Sequence, residues 1–227
     1  MFNLRPFHKA LRGREKISVI AELKRRSPSH GAFPHHDIKT LVRAYENGGA
    51  SALSVVTEPM LFDGSIELLR EMRKHTSLPI IRKDFIHDTA QIDESAAAGA
   101  NAVLLIARML EQSVLKNLVA HAHKQNLDTV IELHDEADLA KIAGLEDIII
   151  GINNRNLSTF TTDVNHAHKL LKLLPPKSTI IAESAFKNPS ELALYKGKVD
   201  AVLIGTTFLT SKDPEETLTT FTHARRT

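Results

Sequence analysis

One rhythm constrains this chain more than any other feature: a short apolar run, then an amphipathic stretch, repeated eight times in 227 residues. The runs are Val19–Leu23, Ala52–Val56, Pro79–Arg82, Ala102–Ile106, Thr129–Leu133, Asp147–Ile152, Thr179–Ala182 and Ala201–Ile204. They are rich in Ile and Val and mostly apolar on both faces, as parallel strands covered by helices are. Between them, apolar residues recur at three and four. Ile38, Leu41, Val42 and Tyr45 share one face of a helix over Asp37–Asn47, which Gly48-Gly49 ends. Further helices are expected over Ser65–Lys74, Asp88–Ala98, Glu111–Gln125, Glu136–Ala143, Val164–Leu174 and Pro189–Tyr195, with a last one from Pro214. Thr57–Gly64 reads as a loop. Eight such units fit a closed (β/α)8 TIM barrel with few insertions. A doubly wound open sheet is the competing architecture, but eight is the number that closes. No linker-like shift in composition interrupts 1–227, so a single domain is expected. Residues 1–16 form an N-terminal lead-in, with Phe7, Ala10 and Leu11 at helical spacing.

Composition narrows the chemistry. The 29 basic and 27 acidic residues leave a net charge of +2, too balanced for a nucleic-acid or membrane surface. There is no cysteine, which excludes disulfides, thiolate metal sites and Cys nucleophiles. No apolar run approaches the roughly 18 residues of a membrane span, and Met1–Pro6 lacks a signal peptide's apolar core. The cytoplasm is therefore the expected location. His121/His123 and His166/His168 are i, i+2 pairs on expected helices, so their side chains diverge and no metal site is expected. Gly48-Gly49 ends a helix and does not fit a dinucleotide fingerprint.

In such a barrel the active site lies at the C-terminal ends of the strands. Those ends supply Glu22 and Lys24, Lys83 and Phe85, Glu132, Asn153 and Arg155, Glu183 and Ser184, then Gly205 and Thr206. Glu22/Lys24, Lys83/Phe85 and Asn153/Arg155 are i, i+2 pairs, so each aims two side chains into one mouth. Two lysines, several carboxylates and an Asn converging there suit acid–base work on a carbonyl compound. A salt bridge or a cap explains any one of these residues; it does not explain six strand ends together. Ala182-Glu183-Ser184-Ala185 and Ile204-Gly205-Thr206-Thr207 close the last two strands, where many barrels seat a phosphate. A Gly followed by two Thr also makes a plain turn and N-cap.

Together these segments resemble the indole-3-glycerol phosphate synthase family of tryptophan biosynthesis. The resemblance runs through Ile20-Ala21-Glu22-Leu23-Lys24 with Ser27-Pro28-Ser29, Phe62-Asp63-Gly64-Ser65 and Arg82-Lys83-Asp84-Phe85-Ile86. It continues through Ile131-Glu132, Gly151-Ile152-Asn153-Asn154-Arg155, Ala182-Glu183-Ser184 and Leu203-Ile204-Gly205, in the family's order. The resemblance implies a cofactor-free carboxy-lyase. Its reaction converts 1-(2-carboxyphenylamino)-1-deoxyribulose 5-phosphate to indole-3-glycerol phosphate, carbon dioxide and water. It implies that Lys83 is the ring-closure acid and that Lys24 and Glu22 are the dehydration acid and base, though which lysine donates in which step is not decided by sequence. Glu132 and Asn153 would orient or assist these groups, and Ser184 counts with them. Phe62, Phe85 and Leu104 would line the anthranilate pocket; for Leu104 ordinary packing competes. Ser27, Arg155 and Glu183 would help hold the substrate. Lys24 would hold the phosphate with the loops of Ser184, Ala185, Gly205 and Thr206. The implied partner is this small phosphosugar–anthranilate substrate, with no nucleic acid and no membrane. A monomer is expected, with room for transient contact with other enzymes of the pathway.

The chain also departs from the family pattern. Members commonly carry a longer N-terminal segment with helices across the barrel mouth, so a shortened lead-in is expected here. Ala185 stands where Gly is usual, Thr206-Thr207 replaces a Ser pair, and Asn156 replaces an Asp. Two other readings compete. A phosphoribosylanthranilate isomerase would need a Cys general base, which the absence of cysteine opposes. A barrel that keeps its cup only to bind phosphosugars or a partner is the non-enzyme alternative.

Overall fold

The apolar runs pair side by side, each in parallel with the next, because helical crossovers return the chain to the same end of the sheet. The computed structural model describes residues 5–11, 17–154, 170–175, 178–184 and 186–224. Its strands are β1 (Ser18–Leu23), β2 (Ala52–Val56), β3 (Ile80–Lys83), β4 (Ala102–Ile106), β5 (Asp128–Leu133), β6 (Ile149–Asn153), β7 (Thr179–Glu183) and β8 (Ala201–Ile204). Ile20 stands opposite Ala52 on one side and Leu203 on the other, so β1 joins β2 to β8 and the sheet closes into a barrel. Every strand residue except Lys83 is buried.

Alternation along the strands divides the core in two. Ile20, Ile81, Leu104, Val130, Ile149, Ile181 and Leu203 fill the barrel interior. Val19, Leu53, Ile80, Val103, Ile131, Ile150 and Val202 face outward into the helical layer. The helices are α1 (Pro6–Leu11), α2 (Ile38–Asn47), α3 (Pro59–Phe62), α4 (Ile66–Arg73), α5 (Thr89–Ala97), α6 (Gln112–Lys124), α7 (Glu136–Lys141), α8 (Thr206–Leu209) and α9 (Pro214–Ala224). Caps set several starts: the Asp37 side chain accepts from the Thr40 N–H, and Asp88 and Gln91 form a reciprocal capping box.

The lead-in has a definite seat. Phe7 and Leu11 of α1 join the interior cluster, and the His8 N–H donates to Asp128 Oδ2 at 2.9 Å. Arg5 Nε donates to Asp128 Oδ1 at 3.1 Å, and the His8 ring lies 2.7 Å from Thr179 Oγ1. Asp128 and Thr179 begin β5 and β7, so α1 stoppers the N-terminal end of the barrel, opposite the mouth.

Three details differ from the periodicity. Thr57–Gly64 contains the four-residue α3, and the β1–α2 connection holds a small hairpin pairing Arg26–Ser27 with Gly31–Ala32. Both are too short to show a period. Pro189–Tyr195 is a 3-10 helix whose buried Leu192 and Tyr195 stack at a spacing of three. The helix expected over Val164–Leu174 lies largely outside the described residues, as does part of the lead-in.

Phe7 is fully buried. Phe7→Ala should cost about 3–5 kcal/mol of unfolding free energy, as large-to-small core changes do. Below the lowered melting point its catalytic constants should match the wild type, since the cavity opens at the end away from the mouth. Urea unfolding with parallel kinetics checks both halves.

Candidate active site

The interior is stacked in storeys, and alternate strands supply one storey. Ile20, Ile81, Val130 and Ile181 come from β1, β3, β5 and β7. Two residues further along the same strands, on the same face, stand Glu22, Lys83, Glu132 and Glu183. The mouth of the barrel is therefore floored by one ammonium among three carboxylates, all reached by continuing the apolar wall a single step.

The contacts are short. Lys83 Nζ lies 2.5 Å from Glu183 Oε2 and 3.8 Å from Glu22 Oε2. Lys24 Nζ donates to Glu22 Oε1 at 2.7 Å and sits 5.5 Å from the centre of the Phe33 ring. Glu132 Oε1 accepts from Asn153 Nδ2 at 3.3 Å and lies 2.6 Å from His134 Nε2. Glu183 has a fully buried side chain, and its second oxygen, Oε1, has no partner among the described residues.

One cation cannot satisfy three buried carboxylates equally, and their proton affinities separate. Burial draws Lys83 toward neutrality, but Glu183, Glu22 and Glu132 outweigh it and lift its pKa above the usual lysine value. Lys83 stays an ammonium. Burial raises Glu132 too, yet the His134 contact, the Lys83 charge and the Asn153 bond hold it below an ordinary glutamate. Glu183 bears the remainder. Burial, with help from the Glu132 and Glu22 charges, pushes it up to about 7 against the pull of Lys83.

The neighbouring strands make room. A Cβ on Gly205 would stand 2.5 Å from Glu22 Oε1, and one on Gly151 would collide with Glu183 Oε1. Any larger residue at either place would displace a carboxylate. Behind β3 the alternation separates chemistry from support. Arg82 points outward, where it meets Asp84 Oδ2 at 3.0 Å and Glu94 Oε2 at 2.7 Å, while Lys83 points in. Breaking such a buried pair typically costs about 3–5 kcal/mol, which makes the flanking charges a brace for the strand end.

The other expected residues that the structure describes lie on the strands or on the segments that directly follow them. Leu104 lies in the interior wall beneath the charged storey, and Phe85 packs against the same cluster. Phe62, at the end of α3, meets Phe85 edge-on with ring centres 6.5 Å apart. Ser27 is buried in the hairpin, its hydroxyl without a partner among the described residues. Ser184 follows β7 with φ of 67°, a left-handed conformation uncommon outside glycine. Its carbonyl accepts from Asn154 Nδ2, and Tyr195 donates to Asn154 Oδ1 at 2.9 Å. Gly205 caps α8, which Thr206 opens. Arg155 and Ala185 lie outside the described residues. Sequence reasoning missed Glu58 and His134, and it met Gly151 and Asn154 inside the resembling segment without giving either a role. His134 carried a usable signal of its own, since it stands two places beyond Glu132 and shares its face.

A sequence model of the family described as indole-3-glycerol phosphate synthase matches residues 2–221. An indole-3-glycerol phosphate synthase of Campylobacter fetus is 43% identical over 207 residues, 90% of this chain and 80% of that protein. One from Rhodopirellula baltica is 38% identical over 95% of this chain and 83% of that protein. Among solved structures, the tryptophan synthase alpha subunit of Legionella pneumophila superposes with a TM-score of 0.71 at 15% identity, covering 98% of this chain and 99% of that one. The 3-hexulose-6-phosphate synthase of Salmonella typhimurium gives 0.75 at 12% identity, covering 92% and 99%. At these identities the structural matches speak for the fold alone.

The raised Glu183 carboxyl has a thermodynamic signature. Its pKa moves from 4.5 in the unfolded chain to about 7 in the fold, so it favours the folded state most below pH 4.5. That contribution is lost as pH rises through 7. Between those limits the wild type should lose on the order of 1–3 kcal/mol relative to Glu183→Gln, whose amide does not titrate. Urea unfolding at a series of pH values measures it. A wild type that gains on the variant with rising pH would show a depressed carboxylate instead.

Proposed function

The chain belongs to the indole-3-glycerol phosphate synthase family, and from that membership we propose how its charged storey divides the reaction. The reaction is ring closure, decarboxylation and dehydration of 1-(2-carboxyphenylamino)-1-deoxyribulose 5-phosphate, a step of tryptophan biosynthesis. The products are indole-3-glycerol phosphate, carbon dioxide and water. The observation that carries the assignment of roles is the Lys83 ammonium, kept protonated among Glu183, Glu22 and Glu132 at the barrel mouth.

The ring carbon bearing the carboxylate attacks the C2′ carbonyl carbon. As that bond forms, the carbonyl electron pair moves to oxygen, which takes a proton from Lys83 and becomes a hydroxyl. The carboxylate leaves as carbon dioxide, and its bonding pair restores the aromatic ring. Lys24 then protonates the hydroxyl so that it departs as water, and Glu22 accepts the proton released from C1′. The Lys24–Glu22 contact at 2.7 Å supports this pairing of acid and base. Glu132, with Asn153, keeps negative charge beside Lys83, and Glu183 offers its open oxygen to the substrate.

Phe62, Phe85 and Leu104 clasp the aminobenzoate ring in this reading. Lys24, Ser184, Gly205 and Thr206 hold the phosphate, with Ser27 as a further donor and Arg155 and Ala185 completing the set. A monomer in the cytoplasm, touching other pathway enzymes only transiently, belongs to the same proposal. No helix among the described residues is long and apolar enough to cross a membrane.

Indole fluorescence after mixing purified protein with the substrate provides the test. Turnover should begin without added metal or nucleotide and persist after exhaustive chelation. A barrel that only binds phosphosugars would give no signal. Lys83→Met should reduce kcat by at least about 10²-fold, the scale of general acid–base catalysis, while the fold is retained. A loss below tenfold removes Lys83 as the essential acid.

A further inference from the structure

Helix α3 carries Phe62, yet none of its residues is buried. Met60 is 82% exposed and Leu61 49%, which leaves the half-buried Phe62, set edge-on against Phe85, as the apolar contact of this helix with the barrel. With so little burial, its backbone conformation is held by polar contacts, and these converge on one side chain.

Glu58 leaves β2 two residues after Val56 and is itself buried. Its Oε1 accepts from the Met60 N–H at 2.9 Å. Its Oε2 accepts from the N–H groups of Leu61 at 2.7 Å and Phe62 at 3.2 Å. Pro59, the first residue of the helix, has no N–H to offer. One carboxylate thus satisfies every backbone donor that the helix possesses. The Glu58 carbonyl also accepts from the Gly64 N–H at 2.9 Å, which closes the segment on itself. A Cβ at Gly64 would lie 2.5 Å from the Val56 carbonyl oxygen, so the return can pass only as glycine. Asp63 makes the bend between them in the left-handed conformation, with φ of 53°.

We infer that Glu58 is a positioning residue for substrate recognition: by gathering the α3 donors it presets Phe62 against Phe85 and so forms the slot for the aminobenzoate ring. The inference rests on the assignment of Phe62 and Phe85 to that ring. Glu58 has no part in proton transfer. Its contribution is to fix an aromatic wall before the substrate arrives, when the ordering would otherwise be drawn from binding energy. A charge-assisted bond set is suited to this because it holds a helix that apolar burial cannot.

A double-mutant cycle on Glu58 and Phe62 tests it. Two readouts are taken: steady-state turnover, and the Kd of a substrate analogue with an alcohol in place of the C2′ carbonyl, followed by aminobenzoate fluorescence. Glu58→Ala should raise KM and Kd about tenfold and leave kcat within about threefold. Glu58→Gln keeps one acceptor oxygen and should fall between it and the wild type. Phe62→Ala should weaken binding by a similar factor. Adding Glu58→Ala to Phe62→Ala should then change Kd by less than about twofold, since the residue being positioned is gone. Unchanged affinity in Glu58→Ala overturns the inference, as does a kcat loss without a KM change. Equal factors in the two backgrounds, or an unaffected Phe62→Ala, also overturn it. A wild type that binds the analogue without turning over substrate counts against the catalytic reading alone, because the cycle is still read by Kd.

Discussion

A single ammonium wedged among three carboxylates is the constraint from which the rest of the site follows. Lys83 is the cation that the β1, β3, β5 and β7 storey itself carries among the described residues, and it contacts Glu183 most closely. Each carboxylate reaches its own accommodation. Glu22 shares its charge with Lys24, and Glu132 leans on His134 and Asn153. Glu183 is left with the costliest ionisation. Fixing four such groups around one mouth requires a stiff frame, and parallel strands closed into a ring supply one. The glycines on β6 and just beyond β8 are the spatial counterpart, since the carboxylates need the volume that a Cβ would occupy.

Much of this was legible because a strand has a period of two. A barrel gathers its chemistry at the strand ends, so Glu22/Lys24, Lys83/Phe85 and Asn153/Arg155 read as pairs sharing one mouth, while the apolar storey beneath them came from the structure. The barrel was legible for a similar reason, from eight apolar runs that closed as β1 through β8. The unread parts lie where no period operates. Helix α3 spans four residues, and the hairpin after β1 pairs only two with two, so neither leaves a repeating trace. Glu58 in sequence is one acid in a loop. Its importance comes from three backbone donors that no side-chain pattern records. The role of α1 was hidden differently: helical spacing was visible in Phe7 and Leu11, but which end of the barrel they close depends on Asp128 and Thr179, far along the chain.

Barrels that superpose well on this one share only 12–15% of its residues, and they are enzymes named for different chemistries. The backbone path therefore says little about the reaction. A barrel's reaction depends on which residues occupy the uppermost storey of its interior and on how the flanking loops are braced. The outward-facing Arg82–Asp84–Glu94 cluster belongs to that bracing, since it secures the same strand that presents Lys83 inward.

The stacking of charged on apolar storeys also bears on how such a protein can adapt to heat or cold. Ile20, Ile81, Val130 and Ile181 are at once hydrophobic core and the foundation of the charged groups two residues above them. Repacking that inner wall shifts side chains whose useful placement is defined to fractions of an ångström. The outer wall has no such double duty. Val19, Leu53, Val103 and Ile150 face the helical layer, so changes in melting point can accumulate there with the charged storey undisturbed. Thermal adaptation in this chain is thus channelled to the helical jacket, and the lining of the barrel is the part of its core least free to drift.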